Sequence, residues 1–201
     1  MQLSGQDVQD STDNQIKNQD LGQKFSIALI PDQISYTVSK PTSTKEWRTL
    51  SDPETGMKLM VPSGWWLMNE ETGSPVVEDS RPIYGVIRKV DGKPSDNFYI
   101  GRLHSRQVAQ YLSAADENNL LQWYVNFYLL DSGRYSLNEL KIEKVKLGEN
   151  IFVKIFFEGR YYYFIYKDQE ELQQFFTPGD ISVASSLNPV IEQILSTLKI
   201  K

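Results

Sequence analysis

The sequence contains no cysteine and only one histidine among its 201 residues. The absence of cysteine excludes disulfide bonds, thiolate metal sites and cysteine nucleophiles. A zinc site built from several histidines is excluded as well, because His104 has no second histidine to join it. Sequence motifs of serine hydrolases, P-loop nucleotide-binding proteins and dinucleotide-binding folds are also missing. We therefore predict that the protein is not an enzyme, with no catalytic residue, no metal site and no cofactor.

Long apolar runs and clusters of basic residues are missing too. No segment reaches the roughly 18 to 20 apolar residues that a membrane-spanning helix needs. The chain has 21 basic and 26 acidic residues, a net charge of -5, and no run of Lys or Arg. We therefore expect no transmembrane segment in this chain and no nucleic-acid partner.

The first twenty residues are polar and acidic, whereas a signal peptide begins with a basic and then an apolar stretch. If Met1 is native, this start favours a cytoplasmic protein. A polar stretch of this kind is equally typical of a mature exported protein, including one with a lipid anchor upstream, whose signal has been removed. The sequence leaves both interpretations open.

Composition divides the chain into three regions. Residues 1–24 contain only four aliphatic side chains after Met1 and no aromatic one, which predicts a flexible polar leader. Residues 25–45 are predicted to form an extended arm and linker, with two alternating segments on either side of Pro31-Asp32 that suit a hairpin. Residues 46–201 have the aromatic and aliphatic content of a compact domain.

The order of periodic segments within 46–201 indicates the fold class. Alternating segments up to residue 104 predict strands, and helical spacing follows between residues 105 and 128. Further strands are predicted over 137–147, 151–159 and 160–167, the latter two following a turn at Gly148. A closing helix should begin with Asn188 as its N-cap and Pro189 at its first position. Strands followed by a helix, antiparallel strands and another helix predict an α+β fold.

The stretch "GMKLMVPSGWW" at residues 56–66 resembles the first strand and turn of the PsbP-like family, which has the Mog1/PsbP fold. In that family a glycine precedes an alternating strand that ends in proline, and a tryptophan follows within three residues. The resemblance covers roughly residues 46 to 200, with Leu198 standing where the family commonly has phenylalanine. It implies an αβα sandwich around a central antiparallel sheet of about six strands.

The same resemblance implies a function, because most members of the family are not catalytic. It implies an extracytoplasmic binding or assembly module that docks on a larger protein complex of the cell envelope or a membrane. One alternative is an extrinsic, lumenal subunit of photosystem II. A further alternative from a different class is a small-ligand binder or an enzyme of unknown class.

Candidate contact residues lie in three places. The arm has apolar alternation outside the predicted domain, Trp66 should face away from the buried Trp65, and a small cationic group follows the strand around residue 100. The candidates are Phe25, Ile27, Leu29, Ile34, Tyr36, Trp66, Arg102, His104 and Arg106. The aromatic strand at 160–167 is interpreted differently. Its alternation places Tyr161, Tyr163 and Ile165 on one face and Tyr162, Phe164 and Tyr166 on the other, which favours a central strand packed into the core over an aromatic binding platform.

Overall fold

The computed structural model describes residues 24–69, 71–72, 74–80, 83, 85–91, 93–99, 120–130, 136–167, 171–178 and 184–200. These ranges contain eleven strands. In chain order they are β1 (Ile34–Val38), β2 (Arg48–Ser51), β3 (Lys58–Val61), β4 (Trp65–Met68), β5 (Pro75–Val76), β6 (Gly85–Val90), β7 (Lys93–Tyr99), β8 (Lys141–Leu147), β9 (Asn150–Phe157), β10 (Arg160–Lys167) and β11 (Glu171–Pro178).

Helical segments are fewer in the described ranges. Helix α1 (Leu120–Tyr124) continues as a π-helix over Val125–Leu130, and α2 (Ala184–Leu195) lies close to the carboxyl end. Because α2 begins at Ala184, Pro189 lies inside it and Asn188 is not its N-cap, contrary to the prediction. Among the described residues no helix has the length and apolar composition that crossing a membrane requires.

The fold is α+β, as the order of segments predicts. Nine of the described strands form one sheet in the order β1-β8-β9-β10-β11-β7-β6-β4-β5, while β2 and β3 pair separately. The expected number of about six strands is too low, because β1 and the two-residue β5 extend the sheet at its two ends. The expected antiparallel pairing also has an exception at one edge, where β1 runs parallel to β8.

Strand alternation divides the buried side chains into two cores, one on each face of the sheet. Phe152, Tyr163 and Ile165 pack on the first face with the apolar side of α2. Val153 and Phe164 pack on the opposite face with α1. The central strands β9 and β10 are therefore covered on both faces, and the prediction that the aromatic strand is a core strand is confirmed for its described side chains.

The Pro62-Ser63-Gly64 turn directs the two adjacent tryptophans to opposite faces, as predicted. Gly64 adopts a φ of 85°, which glycine tolerates because it has no Cβ. The main-chain N–H of Trp65 donates to the Pro62 carbonyl at 3.3 Å, and its indole is buried against Phe98. Trp66 is only half-buried. The turn thus starts β4 with one core tryptophan and one tryptophan near the surface.

The hairpin predicted over residues 25–38 does not form. Residues Ile27–Leu29 make a single 3-10 turn instead of a strand, and β1 pairs with β8, more than a hundred residues later. The segment meets its hydrogen-bonding needs through distant partners, which local alternation does not reveal.

Candidate docking surface

The predicted contact residues of the 25–38 segment divide into buried and exposed side chains. Phe25 is fully buried in the second core. Its main chain is held by Asn126, whose Oδ1 accepts the Phe25 N–H at 2.8 Å and whose Nδ2 donates to the Phe25 carbonyl at 3.0 Å. Phe25 is therefore a core residue and not a contact residue. By contrast, Leu29 and Ile34 are 47% and 42% exposed.

Exposed apolar side chains of this size are uncommon in the described part of the chain. Only four large hydrophobic residues are exposed there, and two of them, Leu29 and Ile34, lie within ten residues of each other. The other two are Val77 and Val90. Single exposed apolar residues are ordinary, but two so near in sequence, one of them on an edge strand, are candidates for contact with a protein partner.

Strand β1 presents an open main-chain edge. The Gly148 N–H donates to the Val38 carbonyl at 2.9 Å, so the main-chain N–H and C=O of Val38 point towards β8. Because main-chain groups of successive strand residues point alternately to the two sides, the N–H and C=O of Thr37 point away from the sheet. Thr37 is exposed, and none of the described strands pairs with the outer side of β1. We call this outer side, residues 34–38, the β1 edge.

A buried charged cluster on the face of the sheet covered by α2 anchors β1. Tyr36 reaches inward and donates its hydroxyl hydrogen bond to Glu192 of α2. Lys154 of β9 donates to the same carboxylate oxygen at 3.0 Å and contacts the Tyr36 hydroxyl oxygen at 2.5 Å. The Tyr163 hydroxyl donates to Glu192 at 3.1 Å. One carboxylate oxygen thus joins the edge strand, two central strands and the closing helix.

Lys154 and Glu192 are almost completely removed from water, at 6% and 5% exposure. Burial of two charges is costly unless they are paired and hydrogen-bonded. The Lys154 ammonium also lies over three tyrosine rings, 4.6 Å from the centroid of Tyr161, 5.1 Å from Tyr36 and 5.8 Å from Tyr163. These π faces replace part of the lost hydration of the cation. The arrangement is that of a satisfied structural cluster and holds Tyr36 in place.

The phenols of this cluster are held in their neutral form. Burial, followed by the hydrogen bond to Glu192, raises the pKa of Tyr36 far above its ordinary value. Burial and the negative charge of Glu192 likewise raise the pKa of Tyr163. Both causes oppose ionisation, because a phenolate would lie in a desolvated site next to a carboxylate. Both tyrosines therefore remain hydrogen-bond donors, and neither is set up as a base or nucleophile.

Trp66 is covered by cationic side chains. The Arg48 guanidinium lies 4.3 Å from the Trp66 ring centroid, and the Lys89 ammonium lies 5.8 Å away. Arg48 also donates to the Trp65 carbonyl at 2.8 Å and pairs with Asp79 at 2.9 Å. These contacts tie β2 to the start of β4. Trp66 supports the packing of Arg48, and its place in a partner contact stays a prediction.

The remaining predicted contact residues, Arg102, His104 and Arg106, lie outside the described residues, and nothing is concluded about the side chain of Ile27. In the ranges that the structure covers, no group of three or more His, Asp or Glu side chains is placed to hold a metal ion.

Sequence reasoning missed the pair of Lys154 and Glu192. The available signal is a single lysine within "IFVKIFF" and a single glutamate within the apolar helix "VIEQIL". Each is a charge in a segment that is otherwise buried, and charged residues are rarely fully buried without a partner. Two such residues of opposite charge are candidates for pairing, although their spacing does not say that a tyrosine from the edge strand joins them.

Comparisons with known proteins give one similar structure. The scan against models of protein families finds no match, and the search of curated proteins finds none either. Among solved structures, the chain is similar to the solution structure of cyanobacterial PsbP (CyanoP) from Synechocystis sp. PCC 6803. The sequence identity is 13%, the TM-score is 0.35, and the match covers 82% of this chain and 98% of that one.

Proposed function

We propose that the protein is a non-catalytic binding or assembly module that contacts its protein partner through the β1 edge together with the exposed side chain of Leu29. The observation that carries this proposal is an open edge strand that Tyr36 anchors to a buried cluster. An extended segment of a partner can add to such an edge by main-chain hydrogen bonding. Exposed Leu29 and Ile34 supply apolar contacts beside it.

The two edges of the sheet differ in a way that supports this proposal. At the far edge, β5 has only two residues, Pro75 and Val76, and its proline cannot donate a main-chain hydrogen bond. Short strands, prolines and charges are the usual means by which proteins block unwanted pairing at sheet edges. The β1 edge, "ISYTV", has five residues with neither a charge nor a proline. Of the two edges of the nine-stranded sheet in the described ranges, the β1 edge is the one that lacks these features.

Anchoring by Tyr36 reduces the cost of binding. A strand that is already ordered loses little conformational freedom when a partner adds to it, whereas a flexible arm must be ordered during binding. The hydrogen bonds of Tyr36 to Glu192 and Lys154 hold β1 in the sheet before any partner arrives. We therefore propose that residues 34–38 of the predicted extended arm act as an ordered docking edge.

The resemblance of residues 56–66 to the PsbP-like family supports a finer form of this proposal. In that form the module is extracytoplasmic, possesses a lipid anchor upstream or is secreted, and docks on a protein complex at or near a membrane. The lumenal photosystem II subunit is a narrower version that stays a prediction. It is tested by asking whether the tagged protein is recovered with photosystem II from its source.

Site-specific photocrosslinking in the native host tests the docking proposal. A photoreactive amino acid at Thr37 should give crosslinks to a discrete partner, because this residue is exposed and its main-chain groups lie on the open side of β1. The matched control places the same group at Val77, which is 79% exposed and lies away from the β1 edge. Point replacement is preferable to a chain that starts at residue 39, since that deletion removes the buried Phe25 and the anchor Tyr36.

A crosslinked band that appears from position 37 and not from position 77 supports docking at this edge. Equal patterns from the two positions, or bands from position 77 alone, contradict it. Replacing Ile34 by lysine should weaken the specific band, because a charge on the edge opposes strand addition.

A further inference from the structure

We propose that the partner of the β1 edge is a second copy of this chain, paired antiparallel to the first across a two-fold axis at Thr37. This inference rests on the proposed docking function of the same edge. In the resulting dimer the two sheets are continuous through the pair of β1 strands. The proposal names the occupant of the edge, which the docking proposal leaves open.

The sequence around Thr37 is self-complementary. Residues 35–39 read Ser-Tyr-Thr-Val-Ser, with the same polar and apolar classes in both directions. An antiparallel pair centred on Thr37 places Thr37 against Thr37 of the second copy and Tyr36 against Val38. Pairs of threonines and pairs of an aromatic with a β-branched residue are both favourable across antiparallel strands. An isologous dimer requires such a self-complementary patch.

The main-chain groups of Thr37 are also directed suitably for pairing with a second copy. Thr37 directs its N–H and C=O outward, since Val38 faces β8 through the hydrogen bond from Gly148. Two copies related by a two-fold axis through this position can exchange two main-chain hydrogen bonds between their Thr37 residues. A register irregularity lies between Ile34 and Tyr36, so the regular part of β1 is Tyr36–Val38, with Thr37 at its centre.

The β1 edge carries no charged side chain. Gln33 to Ser39 contain no ionisable group except the phenol of Tyr36, and that phenol is turned inward to Glu192. Like charges therefore do not meet when the two edges approach. The first charged residue on the carboxyl side, Lys40, is already engaged in an ion pair with Glu149. Self-pairing consequently brings no repulsion into the centre of the interface.

Sedimentation equilibrium of the purified chain is the first test. We expect its average mass to rise from that of a monomer towards that of a dimer between about 5 and about 200 µM, a range suited to an interface of modest area. Thr37→Pro removes the outward N–H without removing a bond to β8, so this variant should remain monomeric. Thr37→Val keeps the N–H and the β-branched shape, and it should dimerise like the parent.

A cysteine crosslink gives a second readout that does not depend on the proline variant folding. Because the chain has no cysteine of its own, Thr37→Cys introduces a single thiol. Directly paired strand residues have Cα atoms about 5.5 Å apart, within the range of a disulfide. Mild oxidation should link Thr37→Cys about tenfold faster than Val77→Cys, since pairing raises the effective thiol concentration.

A parent chain that stays monomeric at about 200 µM overturns self-pairing, as do equal oxidation rates of the two cysteine variants. That result is distinguishable from failure of the docking function. Crosslinks from position 37 to a different protein then keep the edge as a docking site and remove the second copy as its occupant. Crosslinks from position 37 that join two copies of this chain support both proposals.

Discussion

Replacing Gly148 by alanine should destabilise the protein much more than the same change at Gly159. Both glycines lie in tight turns with positive φ, 62° at Gly148 and 76° at Gly159. The two substitutions therefore share the backbone strain of a left-handed residue, about 1–2 kcal/mol. They differ in what the added methyl group meets, which makes Gly159→Ala a matched control.

The surroundings of Gly148 determine the difference. A Cβ there would lie 2.0 Å from the Ser196 carbonyl oxygen and 2.8 Å from its carbonyl carbon, whereas at Gly159 nothing lies within 4 Å. The obstacle at Gly148 is main chain just after α2, which cannot rotate away as a side chain can. Overpacking of this kind typically costs about 1–3 kcal/mol in addition to the strain. We expect a total of about 2–5 kcal/mol for Gly148→Ala and about 1–2 kcal/mol for Gly159→Ala.

Urea unfolding followed by tryptophan fluorescence measures both variants. With a typical slope of about 2 kcal/mol per molar urea, the unfolding midpoint of Gly148→Ala should lie about 0.5–1.5 M below that of Gly159→Ala. The Gly148 N–H is also the donor to Val38, so amide exchange in β1 should quicken in this variant. Equal midpoints for the two variants would refute the reasoning, because they would mean that the turn does not press against the chain after α2.

Three further predictions concern groups that the fold buries. Lys154→Met should lower the free energy of unfolding, measured with urea, by about 3–5 kcal/mol because it leaves Glu192 buried without its cation. Adding Glu192→Leu to this variant should recover much of the lost stability. A double variant that is no more stable than Lys154→Met contradicts this prediction. Tyr36 and Tyr163 have raised pKa values, so their stabilisation is complete below the ordinary phenol pKa near 10 and is lost as the pH rises above it. Absorbance titration at alkaline pH should show at least two phenols that ionise only when the chain unfolds, and early titration of all tyrosines would count against it. Asp52→Ala should lower the free energy of unfolding by about 1–3 kcal/mol, since the carboxylate accepts main-chain hydrogen bonds from residues 54, 55 and 83. An unchanged midpoint of thermal unfolding, relative to the parent chain, would contradict this prediction.

The sequence predicts those features that depend on short-range periodicity. Alternation along β10 is enough to place Tyr163 and Phe164 in opposite cores, because a strand that is covered on both faces needs apolar side chains on both. Alternation along the strand that follows the Pro62 turn likewise predicts the opposite directions of Trp65 and Trp66. These outcomes depend on a few consecutive residues, whose geometry is fixed by the pleat and the turn.

Features that depend on distant partners are not predictable in the same way. Residues 25–38 alternate like a hairpin, yet Phe25 is held by Asn126 and β1 pairs with β8. The position of β1 also changes the strand count and adds a parallel pair. Within the candidate docking surface, Leu29 and Ile34 are exposed, and their place in a partner contact stays a prediction. The burial of Phe25 is determined by α1 and the π-helix that follows it.

The sharing of β9 and β10 between the two cores has a consequence for how the protein melts. Neighbouring residues Phe152 and Val153 enter different cores while belonging to one main chain. Neither core can loosen without disturbing the hydrogen-bonded strands on which the other is built. On heating, the two cores should therefore unfold in one cooperative transition, and a fluorescent reporter in either core should record the same melting curve.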